Sequence, residues 1–212
     1  MGNFFSKILI VFLIVITISI AILSTKGIET ERFNEFISEK ITKENKKILL
    51  NLKKIKFKFS FKDFNLYLET KNPKVAYHNT EIPIKKIEIY LNFSSLIKSN
   101  PKIEKINIDS KQINIDQLKK IIIKTKPSNL NSLIFNKVTK GRLKINLEMY
   151  FKDSLKIDNF IARGEVIEMN GIINKDLILQ KTSFNFFADN SDLLIKNIKS
   201  KMDGLLINDG NI

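Results

Sequence analysis

Ile55-Lys56-Phe57-Lys58-Phe59-Ser60-Phe61-Lys62 alternates apolar and polar residues at every step. Successive side chains of a strand leave opposite faces, so Ile55, Phe57, Phe59 and Phe61 share one face and the lysines and Ser60 the other. The pattern predicts a strand with one apolar side and one basic side. What covers the apolar side decides both fold and function.

The same two-faced design spreads downstream. The first strand is expected over Leu52 to Phe61. After a turn at Lys62-Asp63 the apolar set resumes at Phe64, Leu66 and Leu68, and Asn72-Pro73 ends that run, since proline has no amide to donate to a ladder. Val75 and Tyr77 predict a short strand. Ile82-Pro83-Ile84 leads into Ile87, Ile89, Leu91 and Phe93. One helical turn is expected near residues 94–98, then strands carrying Ile103, Ile106 and Ile108, and Ile113 with Ile115. Asp116 is a suitable N-cap for a helix from Gln117 to Lys124 with Leu118, Ile121 and Ile122 on one side. Pro127 and the Ser/Asn-rich residues to Ser132 read as a linker, and a soft boundary is placed there. Beyond it Leu143, Ile145, Leu147 and Met149 alternate, Leu155 and Ile157 continue, and Ile161 to Met169 surrounds Gly164. Gly171 marks a turn, and Leu177–Gln180, Ser183–Phe187 and Leu193–Ile198 are expected as further strands. Such regular punctuation predicts an antiparallel meander. The final residues, Asp203 to Ile212, read as mid-strand and turn, an expectation of a piece of a longer polypeptide or a short relative of longer ones.

Upstream, Gly27 to Lys43 predicts a short amphipathic helix, with Phe33, Phe36, Ile37 and Ile41 on one side and acidic residues early, where the helix dipole favours them. Before it lies the apolar run Ile8, Leu9, Ile10, Val11, Phe12, Leu13, Ile14, Val15, Ile16, Ile18, Ile20, Ile22 and Leu23, softened by Thr17 and Ser19. To Thr25 it is about 18 residues, near the lower limit for crossing a bilayer as a helix. Ser19-Ile20-Ala21 could pass for a signal-peptide cleavage site. A retained anchor is the preferred reading, because the apolar run continues past that point. The N-terminus is then cytoplasmic and the remainder lies outside it.

Composition bounds the chemistry. The 212 residues are 43% hydrophobic and 27% charged, which fits a folded chain. The formal net charge of +14 suits an anionic partner, nucleic acid or lipid headgroups, but lysines on the wet faces of strands also account for it. Nucleic-acid binding would want aromatics beside the basic residues, whereas here the phenylalanines lie on the face opposite the lysines. With no cysteine there is no disulfide, thiol catalysis or lipidated N-terminal cysteine. His78 is the only histidine, in a polar loop. No catalytic constellation, metal cluster, phosphate loop or dinucleotide fingerprint is present, so neither enzyme nor cofactor is expected.

The order of elements resembles the N-terminal region of the AsmA-like family, the TamB- and YhdP-type proteins. The resemblance rests on the anchor, the short helix, Phe64-Asn65-Leu66-Tyr67-Leu68 to Asn72-Pro73, Ile87 to Phe93 with Ser95-Leu96-Ile97, and Ile103 to Ile115. It spans roughly residues 5–125, with Arg163 to Gly171 a weaker echo. It implies a mainly β protein with minor α: a transmembrane helix, then a curved antiparallel sheet forming a U-shaped groove, with short amphipathic helices. It further implies a single-pass anchor in the bacterial inner membrane and the bulk of the chain in the periplasm. The implied partners are phospholipid and the inner membrane, with outer-membrane or periplasmic proteins as further candidates. The domain reading is 1–26 cytoplasmic tip and anchor, 27–126 short helix and first groove segment, and 127–212 further groove strands.

Three routes can dry the apolar face: a helix layer, a second sheet, or acyl chains held in a trough. Each buried CH₂ is worth about 0.8 kcal/mol. On the third route Ile55, Phe57, Phe59, Phe61, Leu66, Leu68, Ile87, Ile89, Leu91, Phe93, Ile106, Ile108, Ile113 and Ile115 line the trough, and lipid moves along it between inner and outer membrane. On the second they form a sealed core, and the protein is a membrane-anchored scaffold assisting outer-membrane protein assembly.

Overall fold

The alternation read from the sequence produces strands along most of the chain. The computed structural model describes residues 2–31, 34–44, 47–52, 54–62, 65–92, 95, 102–152, 156–174, 177–202 and 204–211. Helix α1 (Gly2–Thr25) is followed by β1 (Ile28–Thr30), α2 (Asn34–Glu44), β2 (Ile48–Asn51), β3 (Ile55–Ser60), β4 (Asn65–Lys71), β5 (Lys74–Tyr77), β6 (Thr80–Ile82), β7 (Ile84–Leu91), β8 (Ile103–Ser110) and β9 (Ile113–Asn114). Then come α3 (Ile115–Ile122), α4 (Asn129–Lys137), β10 (Val138–Phe151), β11 (Ile157–Asn174), β12 (Leu177–Asp189), β13 (Leu193–Met202) and β14 (Leu205–Ile207). Eleven strands form one open antiparallel sheet in the order β1-β3-β4-β7-β8-β10-β11-β12-β13-β14, with β9 also paired to β10. Strands β2-β5-β6 form a second, small sheet.

The small sheet continues the large one. Its pairs Leu50↔Val75 and Val75↔Ile82 keep the register of Ile55↔Thr70 and Thr70↔Ile87 in the large sheet. The Asn72 amide, donating to the Lys85 carbonyl at 2.8 Å, bridges the two segments. Between them the ladder is interrupted where Pro73 and Pro83 can donate no hydrogen bond. At this line Asn72 takes a positive φ of 48°. The inward side chains step by three residues instead of two in each strand: Ile55 to Leu52, Thr70 to Pro73, Ile87 to Ile84. Leu52, Pro73 and Ile84 are all buried. The slip turns the small sheet's apolar face inward, so that it continues the core as the backbone bends. The ribbon ends in a two-residue turn at His78-Asn79, with φ of 47° and 62°, the double positive φ of a type I′ hairpin.

The core is therefore built from one chain segment wrapped on itself. Ile37 and Ile41 of α2, and Leu50, Val75 and Ile82 of the small sheet, pack with Leu52, Ile55, Leu68, Ile84, Ile87, Ile89, Leu91, Ile103 and Ile106. Full burial of such a side chain contributes about 1.5–3 kcal/mol.

Several boundaries differ from the sequence reading. The strand expected over Leu52 to Phe61 is the shorter β3, and a further strand, β2, precedes it across the bend. Phe61 leaves the strand and enters the following turn. Ile115 opens α3 instead of sitting on a strand, because Asn114, not Asp116, caps the helix: its side chain accepts from the Gln117 amide at 2.8 Å. The linker-like stretch holds α4, whose N-terminus is capped by Ser128 accepting from the Asn131 amide. Gly171 lies inside β11, paired with Val138 and Leu179. The segments expected at Leu177–Gln180 and Ser183–Phe187 form the single strand β12. The sheet also runs unbroken past residue 127 through pairing of β8 with β10. Phe33, Phe64, Phe93, Leu155 and most of the helical turn expected at 94–98 lie outside the described residues.

A second irregularity crosses the far half of the sheet. Gly141, Glu168, Lys181 and Asn197, on β10 to β13, all have positive φ beside register shifts. Side chains take up the displaced amides: Glu168 N–H donates to Ser183 Oγ (3.0 Å), Lys181 N–H to Asn170 Oδ1 (2.8 Å) and Asn197 N–H to Asn211 Oδ1 (3.2 Å). Aligned bulges of this kind bend a sheet and increase its twist.

Thr70 stands on the apolar face between Ile55 and Ile87, 3% exposed, with its hydroxyl unpartnered. Replacing it by valine keeps the shape and removes the unsatisfied group, so Thr70→Val should raise unfolding stability by about 1 kcal/mol. Ile89→Ala should lower it by about 2–5 kcal/mol. Denaturant titration of the full chain in detergent checks both, and a destabilised Thr70→Val would contradict the packing described here.

Candidate functional site

Antiparallel register lays the apolar residues out in rows. Phe57, Leu68, Ile89, Ile106, Met149 and Phe160 are successive partners across six strands. Ile55, Thr70, Ile87, Ile108, Leu147, Ala162, Ala188 and Leu193 form the next row. Ile145, Gly164, Phe186 and Ile195 form a third, and Leu143, Val166 and Phe184 a fourth. One apolar face thus crosses the whole sheet.

Its two halves differ in cover. On the N-terminal half Ile55, Leu68, Ile87, Ile89, Leu91 and Ile106 are between 1% and 7% exposed. They are sealed by α2, the small sheet and each other. Phe57, Phe59, Leu66 and Ile108 are half-buried at the margins, and Phe61 is 64% exposed in its turn. Ile113 and Ile115 are buried but stand apart from this cluster, where β9 meets α3. Of the fourteen residues read as trough lining, then, eight are enclosed by the chain's own residues, six of them in this core, and Phe93 lies outside the described residues. On the C-terminal half no small sheet lies over the face. Ile145, Leu147, Phe160, Val166, Phe184, Phe186 and Ile195 are half-buried and Leu193 is 63% exposed. A Cβ on Gly164 would collide with the Phe186 ring, so the absence of a side chain there lets that ring lie flat across β11. These residues sit in strands visible in the sequence, but which of them face the same way as Ile89 is set by pairing across strands.

The opposite face is a network of ion pairs and hydrogen bonds. Lys58 pairs with Glu69 at 3.0 Å, and Lys86 with Glu88 at 2.7 Å and Asp109 at 3.5 Å. Asn107 donates to Glu88, and Asn146 to Asn107. Tyr67 stacks on Tyr90, with Lys105 over the Tyr90 ring. Burial draws the Lys86 pKa down, but Glu88 and Asp109 outweigh it and raise it above the ordinary lysine value. The lysines of this central network are thus held by the chain's own carboxylates. Towards β12 and β13 lies a cleft of about 550 Å³ lined by Glu165, Lys199 and Asp209 together with Asn185, Asn197 and Asn208. His78 is a hairpin-turn residue edge-on to Tyr77, and its carbonyl accepts from Lys124 Nζ.

Helix α1 carries every residue read as the anchor. From Phe4 to Thr25 it spans 22 residues with a mean hydropathy of 2.9, long and apolar enough to cross a membrane. At 1.5 Å per residue that is about 33 Å, against a hydrocarbon core of about 30 Å. Ile8 to Ile16, Ile18 and Ile22 are exposed, with Ile20 and Leu23 partly covered. The hydroxyls of Thr17, Ser19, Ser24 and Thr25 each donate to the carbonyl four residues back, at 2.7–2.8 Å, so these four polar groups are satisfied within the helix.

A comparison with protein-family models finds no match, and searches of the curated proteins and of the solved structures find none either.

Glu148 offers a test of the polar network. Burial pushes its carboxyl pKa up, but hydrogen bonds from Tyr150 and Arg163 outweigh this and hold it below the ordinary 4.5. A carboxylate depressed on folding stabilises the fold above its unfolded pKa and loses that contribution as pH falls through the folded value. Between about pH 5 and pH 3 the wild-type chain should therefore lose more stability than Glu148→Gln. Equal slopes in denaturant titrations across that range would show that the carboxylate contributes nothing.

Proposed function

We propose that this chain is a single-pass membrane-anchored protein of the bacterial envelope, whose sheet stands in the periplasm and binds phospholipid acyl chains on the open half of its apolar face. The observation that carries the reading is the continuity of that face. It passes without a polar row from the sealed core onto β10–β13, where phenylalanine, isoleucine and valine are left half-covered. Hydrocarbon laid along these rows would bury apolar surface on both partners, about 0.8 kcal/mol for each CH₂. The wet side of the sheet would stay in water, its carboxylates already paired with lysine and arginine. The open sheet and the anchor also agree with the AsmA-like resemblance, from which the envelope location and passage of lipid between membranes are drawn.

The sealed N-terminal half favours a second reading in part. There the chain closes its own core, as a scaffold for assembling outer-membrane proteins would. On the first reading that half is the rigid mount and only the second half contacts lipid.

Photo-crosslinking amino acids at Phe186, Ile195 and Ile89 separate the two. In the full chain expressed in membranes, positions 186 and 195 should yield phospholipid adducts by mass spectrometry, and position 89 none. Adducts to protein alone at 186 and 195 would leave the scaffold reading standing.

A further inference from the structure

The junction between α1 and the sheet has a defined geometry. Lys26 and Gly27 join α1 to β1, and Gly27, at φ 69°, turns the chain from helix into strand. A Cβ on Gly27 would stand 2.7 Å from Lys58 Cγ and 2.9 Å from the Phe57 carbonyl oxygen, so β1 lies tight against β3. The register is Ile28↔Phe57 and Thr30↔Ile55. Moving back along β1 towards α1 therefore runs in the direction of Phe57 towards Phe61 on β3. Phe61 and Lys62, which follow β3, lie past the junction in that direction, and α1 packs against β3. From Lys58, beside Gly27, to Phe61 is three residues, or about 10 Å of strand. The headgroup layer flanking the hydrocarbon is about 5–8 Å deep.

What occupies that tip fits an interface. Phe61 is 64% exposed, braced edge-on by Phe59 with ring centroids 5.3 Å apart. Ile28, beside the helix exit, is 54% exposed. Lys26 and Lys62, both exposed, flank them with the charge that anionic headgroups attract. Contact with Phe59 leaves most of the Phe61 ring in the open, and exposed apolar side chains flanked by lysine are what amphipathic surfaces insert at a bilayer boundary.

We propose that the end of β3, with Phe61 and Lys62 as its tip and Ile28 beside it, inserts into the headgroup layer of the membrane that α1 spans, making a second attachment that fixes how the sheet stands on the bilayer. The inference rests on α1 being a membrane span, and its test reads that separately. The chain has no tryptophan, so single tryptophans report position without background. Phe12→Trp lies in α1, Phe61→Trp at the tip, and Leu130→Trp on α4, at the far end of β10 and about 40 Å from the tip. All three residues are exposed, so the fold tolerates the change. Each full-length variant is placed in nanodiscs of phosphatidylcholine and phosphatidylglycerol with ordinary or brominated acyl chains. Expected is strong loss of fluorescence at position 12, an intermediate loss at 61, and none at 130. Loss at 12 with 61 as bright as 130 overturns the inference and leaves the anchor. Equal loss at 61 and 130 also overturns it, because the contact is then not particular to the tip. No loss at 12 removes the anchor and the inference together.

Discussion

A slip of one residue in side-chain alternation, made at the same place by three neighbouring strands, is the constraint on which the structure depends. A strand that bends without it would turn its apolar residues outward after the bend, since the side-chain period is two. Here Leu52, Pro73 and Ile84 mark the slip together, so the ribbon can fold and still present Leu50, Val75 and Ile82 to the core. Two prolines and a left-handed asparagine weaken the ladder along one line, and the hydrogen bonds lost there are those proline could never make. The closed core around Ile89 follows from that line.

The same core sets what remains for function. Because the small sheet is made from the strands that begin the large sheet, it can cover only the strands near it. From β10 onward the small sheet no longer covers the apolar face; α3 packs against β10, and α4 against β10 and β11. The half-exposed phenylalanines of β11 and β12 are thus a product of topology: the covering layer is exhausted before the face ends. The lysines do not compete for that face, since register places them behind it, against Glu69, Glu88 and Asp109.

How far the sequence could be read follows the same division. Strands with clean alternation, such as Ile87 to Leu91 and Leu143 to Met149, were legible as strands with a defined apolar side. Legible, too, was the apolar helix, because length and composition alone define it. The closure was harder. Its signal was present as the three-residue steps from Leu52 to Ile55 and from Ile84 to Ile87, but a step of three reads locally as a turn or a helix. Only cross-strand pairing shows that the steps coincide. The sequence points to Asp116 as the cap, and only the backbone entering α3 shows Asn114 in that place. Neither residue type at the Glu168 and Lys181 bulges favours positive φ, so neither reads as a bulge. The break in alternation at Lys181 reads instead as the end of a strand, which divides β12 in two.

Among the described residues β11, β12 and β13 each pair only with the strand before and the strand after. Such a wall has no centre to disturb. A hairpin added to it or removed from it changes two ladders and leaves the mount unaltered, much as courses are added to masonry. The architecture can therefore vary in reach while its footing and closed base stay the same, so the distance it spans can be tuned independently of the interactions that hold it together.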